Sequence, residues 1–513
     1  MKASMMLVAI LLPVLGGILQ VWLPFKNRKG RMVYLEAVVV MTSVLVWMIF
    51  SQCREEMFTL AHFTGNLTIS FKVDGLSIVF GGLVSALWPL AMLYSFEYMK
   101  KEENETIFFL FYTMTYGVTL GISFAGNLLT MYFFYELLTL VTVPLVMHTL
   151  TREAILASRK YLYYSLGGAA FAFLGLIFVI LYGNTTDFVM GGVLDLVKVG
   201  ERGNVLLLIY CLAFMGFGVK AAVCPFNSWL PQAGVAPTPV TALLHAVAVV
   251  KSGAFAILRI TYYSFGTEFL RGTWAQTVVM SVVIITIVYG CSRAVKETHF
   301  KRRLAYSTIS NLSYILFGAV IMSPAGLVGA LCHMVFHAVM KICSFFCAGA
   351  VIHQTGKTYV YELNGLGRRM PRTFAVFTVA SLGLMGVPGM AGFISKWYLA
   401  QAAVYSDNTL AYVGIGALLL SALLTAIYML GVVIRAFFPV AGSEGDCVGV
   451  AGGAIKEAAG DSGKSTGGSE GSPGDPGWLM MGPLFIFAVV IILFGVWSQP
   501  IVEFFSQVAA GMF

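Results

Sequence analysis

Long apolar runs, separated by short polar breaks, recur along the whole chain. Many reach or exceed the roughly 18–20 residues that a helix needs to cross the hydrocarbon core of a bilayer. By length they predict about 14 spanning helices, with cores near 4–23, 32–50, 74–99, 106–125, 127–149, 160–182, 204–224, 238–264, 274–291, 304–322, 325–352, 373–403, 409–437 and 479–505. The runs do not alternate apolar and polar residues, which excludes the strands of a membrane barrel. The expected fold class is an all-α, multi-pass membrane protein. Two cores are expected to be broken, because Pro225 and the Pro388–Gly389 pair remove backbone donors or helix propensity inside them.

Composition agrees. Of 513 residues, 58% are hydrophobic and 11% charged, against about 25% charged in soluble domains. The net charge of +8 comes from basic loops: KNRKGR (26–31), KKEENE (100–105), TREAILASRK (151–160), Arg293 to Arg303, and Lys357 to Arg372. All follow odd-numbered runs, so the positive-inside rule places them in the cytoplasm and both termini outside. No nucleic-acid partner is needed to explain them. The eight cysteines are scattered without a C-x-x-C pair, and nothing resembles an iron–sulfur or zinc framework. Only Lys2 precedes the first run and no A-x-A site follows, so that run reads as a retained helix, not a signal peptide. Residues 441–477 are rich in Gly, Ser, Asp and Glu and read as a flexible, acidic cytoplasmic linker.

A few charges remain inside apolar cores: Glu136, Lys220, Lys251, Lys341 and Lys396, with His245, His333 and His337 among them. An ionised side chain at the bilayer centre costs about 2.5–3.5 kcal/mol on insertion scales. Repeating that cost on several helices points to function. His333, His337 and Lys341 follow i, i+4, i+8 and share one helix face, a ladder of groups able to hold or pass protons. Glu136 and Lys220 are the obvious pair of opposite sign. A static ion pair that only specifies packing would present the same two residues, a lone His245 could be a hydrogen-bonded packing residue, and Lys396 near a helix end could snorkel. The breaks weigh toward function. Pro225 follows Lys220, and Pro388–Gly389 precedes Lys396, one in each half of the chain, as in transporters built from inverted repeats.

At this point the chain resembles a known superfamily. KAAVCPFNSWLPQAGVAPTPVTALLHAVAVVKSGAFAILR (220–259) is similar to the central motif of antiporter-like subunits of respiratory complex I, Mrp-type sodium/proton antiporters and membrane-bound hydrogenases. HMVFHAVMKICSFFCAGAVIHQTG (333–356), VDGLS (73–77), YELLTLVTVPLV (135–146) and GVPGMAGFISKW (386–397) fit other helices of that superfamily. The resemblance covers roughly residues 70–440. It implies 14 core helices, with helices 4–8 and 9–13 as inverted five-helix repeats and helices 7 and 12 broken. The domains would be 1–105, repeats at 106–265 and 273–440, the linker 441–477, and a last helix in 478–513. It also implies that Glu136 pairs with Lys220, that Lys251 is the central lysine with His245 beside it, that His333, His337 and Lys341 continue a polar axis, and that Lys396 is the exit-side group. A lysine at 396 departs from relatives that carry glutamate. Few residues follow the last helix, which favours a Mrp D-type subunit or its hydrogenase counterpart.

The expected function is a proton-translocating subunit of a multisubunit complex in a prokaryotic cell membrane, coupled to redox chemistry or Na⁺ exchange in partner subunits. The alternatives are a self-sufficient Na⁺/H⁺ antiporter and a non-pumping structural subunit. No cofactor motif is present in the chain. Flavin, iron–sulfur clusters or a NiFe centre would belong to partner subunits, which would include other antiporter-like chains.

Overall fold

The structure is a computed structural model that describes residues 4–25, 27–54, 56–64, 67–439 and 474–512. The stretch 441–473 of the expected linker lies outside the described residues. The chain opens with α1 (Met5–Trp22) and α2 (Arg28–Gln52). A hairpin of β1 (Met57–Thr64) and β2 (Leu67–Lys72) follows. The hydropathy pattern predicts no element in this segment. Asn127 pins the hairpin to the turn before the fifth helix, its side-chain amide donating to Thr68 and Ser70.

Then come α3 (Gly75–Tyr98), α4 (Glu105–Ser123), α5 (Leu128–Val146) and α6 (Arg152–Tyr182). Several begin at side-chain caps: Asp74, Asn127 and Thr151 each accept a backbone N–H at the start of their helix. α7 (Gly203–Lys220) ends on Lys220, four residues short of its predicted end. The chain turns through Pro225, whose peptide bond is cis, before a short helical turn at Trp229–Gln232.

The next predicted core, 238–264, is two helices, α8 (Thr238–Ala246) and α9 (Val249–Arg259), continued by a π turn to Phe265. The interruption at Val247–Ala248 departs from the single helix expected. All of Thr238–Phe265 is buried within the protein, and irregular backbone at membrane depth is tolerated only with such cover.

The second half holds α10 (Trp274–Lys296), α11 (Phe300–Val320), α12 (Pro324–Thr355), α13 (Pro371–Met385), α14 (Ala391–Val404), α15 (Thr409–Phe437), α16 (Trp478–Val496) and α17 (Gln499–Ala509). α12, about 48 Å long at 1.5 Å per residue, runs through the middle and packs on α3, α8, α11, α13, α14 and α16. Its flank is closed by α16, whose start is tied down twice. Glu97 accepts from the N–H groups of Gly477 and Met480, and Asp475 accepts from the backbone N–H groups of Arg372 and Thr373 at the start of α13. The end of the expected linker is thus anchored by contacts that its composition does not reveal.

Among the described residues, twelve helices are long and apolar enough to cross a membrane. The other two predicted segments differ for visible reasons. α11 opens with Lys301, Arg302 and Arg303, and the 373–403 core is the broken pair α13 and α14. Outward-facing Val40, Val44 and Trp47 on α2 and Leu419, Leu423 and Ile427 on α15 form part of an apolar belt. The molecule is an all-α, multi-pass membrane protein with one small hairpin.

Candidate functional site

The buried ionisable side chains fall into three groups. The first sits where α7 ends. Lys220 is fully buried, and its ammonium lies 4.0 Å from Glu136 Oε1, whose side chain is 23% exposed. It also donates to the carbonyl of Tyr135 and lies 3.4 Å from the centre of that ring. A cation at the C-terminus of a helix faces unpaired carbonyls and the negative end of the macrodipole. The break after Lys220 therefore supplies part of its solvation. Glu136 Oε1 itself has no hydrogen-bond partner among the described residues.

The second group lies between α9 and α12. Lys251 Nζ is 2.5 Å from His337 Nδ1. A contact this short needs one proton and one lone pair, so the two nitrogens share a proton and cannot both donate. His337 stacks on His333 at 5.5 Å between ring centres, and His333 Nδ1 meets Ser395 Oγ at 2.9 Å. What brings α9 so close to the end of α7 is Gly253. A Cβ there would lie 2.5 Å from the nitrogen of Ala221.

The third group is at the second break. Lys396 donates to the carbonyls of Leu384 and Met385, the last residues of α13, at 2.7 and 2.8 Å. It does not snorkel to the surface. Its ammonium is 5.6 Å from the ring of Tyr314, which packs on His333 at 5.0 Å. Gly386, at φ +88°, ends α13 in the left-handed region, and a Cβ there would lie 3.0 Å from Lys396 Cδ. Pro388 and Gly389 sit in the turn that separates the two halves.

Contacts thus run Lys251, His337, His333, Ser395, Lys396, an order different from the ladder along α12. Lys341 stands aside. It donates to Ser307 Oγ at 2.7 Å, which also accepts from Tyr428 Oη at 2.7 Å. His245 is not bonded to Lys251. Its ring packs on Phe345, and neither ring nitrogen has a partner among the described residues. The same holds for Nε2 of His333 and of His337.

Four charged side chains lie outside the set that the sequence singles out. Asp74 and Arg259 form a buried ion pair, with Nη1–Oδ2 2.5 Å and Nη2–Oδ1 2.8 Å, and Arg259 also donates to Ser77. Arg259 is enclosed by the rings of Phe188, Phe255 and Tyr263. Lys301, also buried, donates to the Ala236 carbonyl. Glu36 on α2 has a buried carboxylate oxygen without a partner among the described residues. Position inside a predicted core was the available signal for Glu36 and Arg259. Among the described residues no group of three or more His, Cys, Asp or Glu side chains is arranged to hold a metal ion.

Residues 125–425 match the family model for the transmembrane part of NADH:quinone oxidoreductase/Mrp antiporter proteins. Residues 60–109 match that for the N-terminus of NADH-ubiquinone oxidoreductase (complex I) chain 5. A Na(+)/H(+) antiporter subunit of Alkalihalophilus pseudofirmus is 31% identical over 74% of this chain and 49% of its own. The NAD(P)H-quinone oxidoreductase chain 4-3 of a Nostoc species is 29% identical over 73% of this chain and 66% of its own. The chain spans about half to two thirds of the length of these relatives. Among solved structures, the Mrp complex of a Dietzia species contains a chain similar over 99% of this one and 97% of itself, with TM-score 0.81 at 20% identity. A chain of an archaeal membrane-bound sulfane sulfur reductase gives 0.78 at 20% identity, over 99% and 96%. These likenesses show a shared fold.

Proposed function

Because the chain belongs to the NADH:quinone oxidoreductase/Mrp antiporter transmembrane family, we propose that it is a proton-translocating subunit of a multisubunit membrane complex. The observation that carries this reading is the 2.5 Å contact between Lys251 and His337 inside a fully buried helix pair. A proton shared between two titratable nitrogens can change owner without either side chain moving. A packing contact has no need of that.

In the proposed cycle a proton reaches the Lys220 or Lys251 site and weakens the attraction between Glu136 and Lys220. That attraction depends steeply on local polarity, from about 1 kcal/mol in water to several near a protein surface. The proton then passes from Lys251 to His337 and His333, by Ser395, to Lys396, and repulsion between neighbouring charged sites drives release. Lys341, with Ser307 and Tyr428, forms a side branch that sets the potential on the line. The orphaned nitrogens of His245, His333 and His337 support a path that water enters, because a buried polar group without a partner otherwise costs about 1–3 kcal/mol. The breaks at Pro225 and Pro388–Gly389 give each terminal lysine its carbonyl acceptors. On this reading helices 4–8 and 9–13 are inverted repeats.

The energy source lies elsewhere, in redox chemistry or Na⁺ exchange within partner subunits, which hold any flavin, iron–sulfur or NiFe centre. The setting is a prokaryotic cell membrane, with the basic loops cytoplasmic and both termini outside. The subtype is a Mrp D-type subunit or its counterpart in a ferredoxin-linked complex.

The test is Lys251→Ala in the assembled complex in inverted vesicles, read by a pH-sensitive dye. Gradient formation is expected to fall at least tenfold with the complex intact. Full pumping by the variant would remove the proposal, and ion exchange by the purified lone chain in liposomes would replace it with a self-sufficient antiporter.

A further inference from the structure

One lateral face of the molecule carries two cavities along the same four helices. The first, of about 690 Å³, is apolar and is walled by Trp47 of α2, Leu83 and Leu87 of α3, Val339 of α12 and Phe487 of α16. The second, of about 610 Å³, is walled by Arg28 and Lys29 of α2, Lys100 and Lys101 just past α3, His353 of α12 and Leu479 of α16.

Helical spacing aligns them. On α3 and its continuation the walls are Leu83, Leu87, Leu90, Glu97 and Lys100, separated by three, four or seven residues. Such positions share one helix face. The same spacing joins Lys29 and Met32 to Trp47 and Ser51 on α2, and Val335 and Val339 to His353 on α12. The two cavities are therefore the ends of one groove that runs along the membrane normal, basic at one end and apolar in the middle.

The basic end has charge to spare. Arg28 is engaged by Glu105 and the Phe96 carbonyl, and Lys101 by the His353 carbonyl. Glu97, the carboxylate in the wall, is turned onto the N–H groups of Gly477 and Met480. Lys29 and Lys100 have no carboxylate within 4 Å among the described residues. Along α3, Phe96 stands nine residues from Leu87, about 14 Å at 1.5 Å per residue. That is close to half of the roughly 30 Å hydrocarbon core, the depth of one leaflet.

We propose that this groove binds one anionic phospholipid, its phosphate between Lys29 and Lys100 and an acyl chain laid along Leu90, Leu87 and Leu83. The charge at one end, the apolar wall and the leaflet-length spacing between them fit a lipid. A partner helix would have no use for two uncompensated lysines at its end. The proposal is independent of the proton path.

The experiment is native mass spectrometry of the full-length chain in detergent, titrated with dioleoyl phosphatidylglycerol or dioleoyl phosphatidylcholine. One phosphatidylglycerol is expected to be retained with at least tenfold preference. Each lysine near an anionic headgroup contributes about fivefold in affinity, so K29Q/K100Q is expected to lose about thirtyfold. Lys357→Gln with Arg368→Gln, basic residues outside the groove walls, should leave the preference unchanged. Leu87→Trp should weaken the dioleoyl lipid but not dihexanoyl phosphatidylglycerol. Equal retention of the two dioleoyl lipids, or an equal loss in the 357/368 control, would overturn the proposal. So would a photocrosslinker at position 87 that captures a neighbouring subunit in the assembled complex. Variants enter the comparison only if they elute as monodisperse protein, and Leu87→Met, which keeps the groove open, should bind as the parent does.

Discussion

Lys220 and Lys396 solve one electrostatic problem in the same way. Each places its ammonium on backbone carbonyls beside a helix break, and only Lys220 has a carboxylate nearby. Their substitutions should therefore differ. Glu136→Gln keeps the shape but leaves Lys220 without its counter-charge. It should cut proton transport at least tenfold with assembly intact, and transport at parental rate would show the pair to be static. Lys396→Met leaves two carbonyls at the break without their donor. It is expected to cost both transport and about 1–3 kcal/mol of stability, read as a lower melting temperature in detergent. Asp74 and Arg259 are a different case. They are far from the histidine line in sequence and lie at the ends of α3 and α9, where Asp74 also caps its helix. Asp74→Asn should cost about 3–5 kcal/mol by leaving a buried guanidinium unpaired, and pairing it with Arg259→Met should recover part of that. A double variant less stable than the single one would refute that account.

Helices and their breaks show what a sequence reveals and what it conceals. The apolar runs exposed the helices, and proline and glycine exposed the two breaks, because both signals are local. The interruption at Val247–Ala248 had no such signal. No proline or glycine marks it, and only burial on every side permits it. The hairpin at 57–72 was missed because its strands are short and partly exposed, so they lack a run of apolar length. The residues of the line were legible one by one, since charge inside an apolar run is conspicuous. Their order was not, because it depends on how α9, α12 and α14 face each other, and contact between helices leaves no periodic trace. Gly253 is the clearest instance. It looks like an ordinary membrane glycine, yet it sets the distance between α7 and α9. Gly253→Val should push those helices apart and lower transport several-fold while membrane insertion is retained. Normal transport would mean that the approach is not needed.

Across the whole molecule, polar and apolar surfaces divide the labour. The ionisable line is enclosed by α8, α9 and α12, and the lipid-facing belt on α2 and α15 carries none of it. The last spanning helix stands apart from this plan. α16 follows a stretch of more than thirty residues that lies outside the described structure, yet its first turn is fixed at two points, Glu97 and Asp475. Each contact is made by side chains and backbone already in place, so the peptide leading up to them adds little to the docking. The chain is in effect two polypeptides that happen to be translated as one. Coexpressed as fragments 1–450 and 465–513, they should copurify and restore transport, and Asp475→Ala combined with Glu97→Ala should release the smaller piece. A gene for this protein could then be split at that point, or carry an inserted reporter domain there, without loss of the membrane assembly.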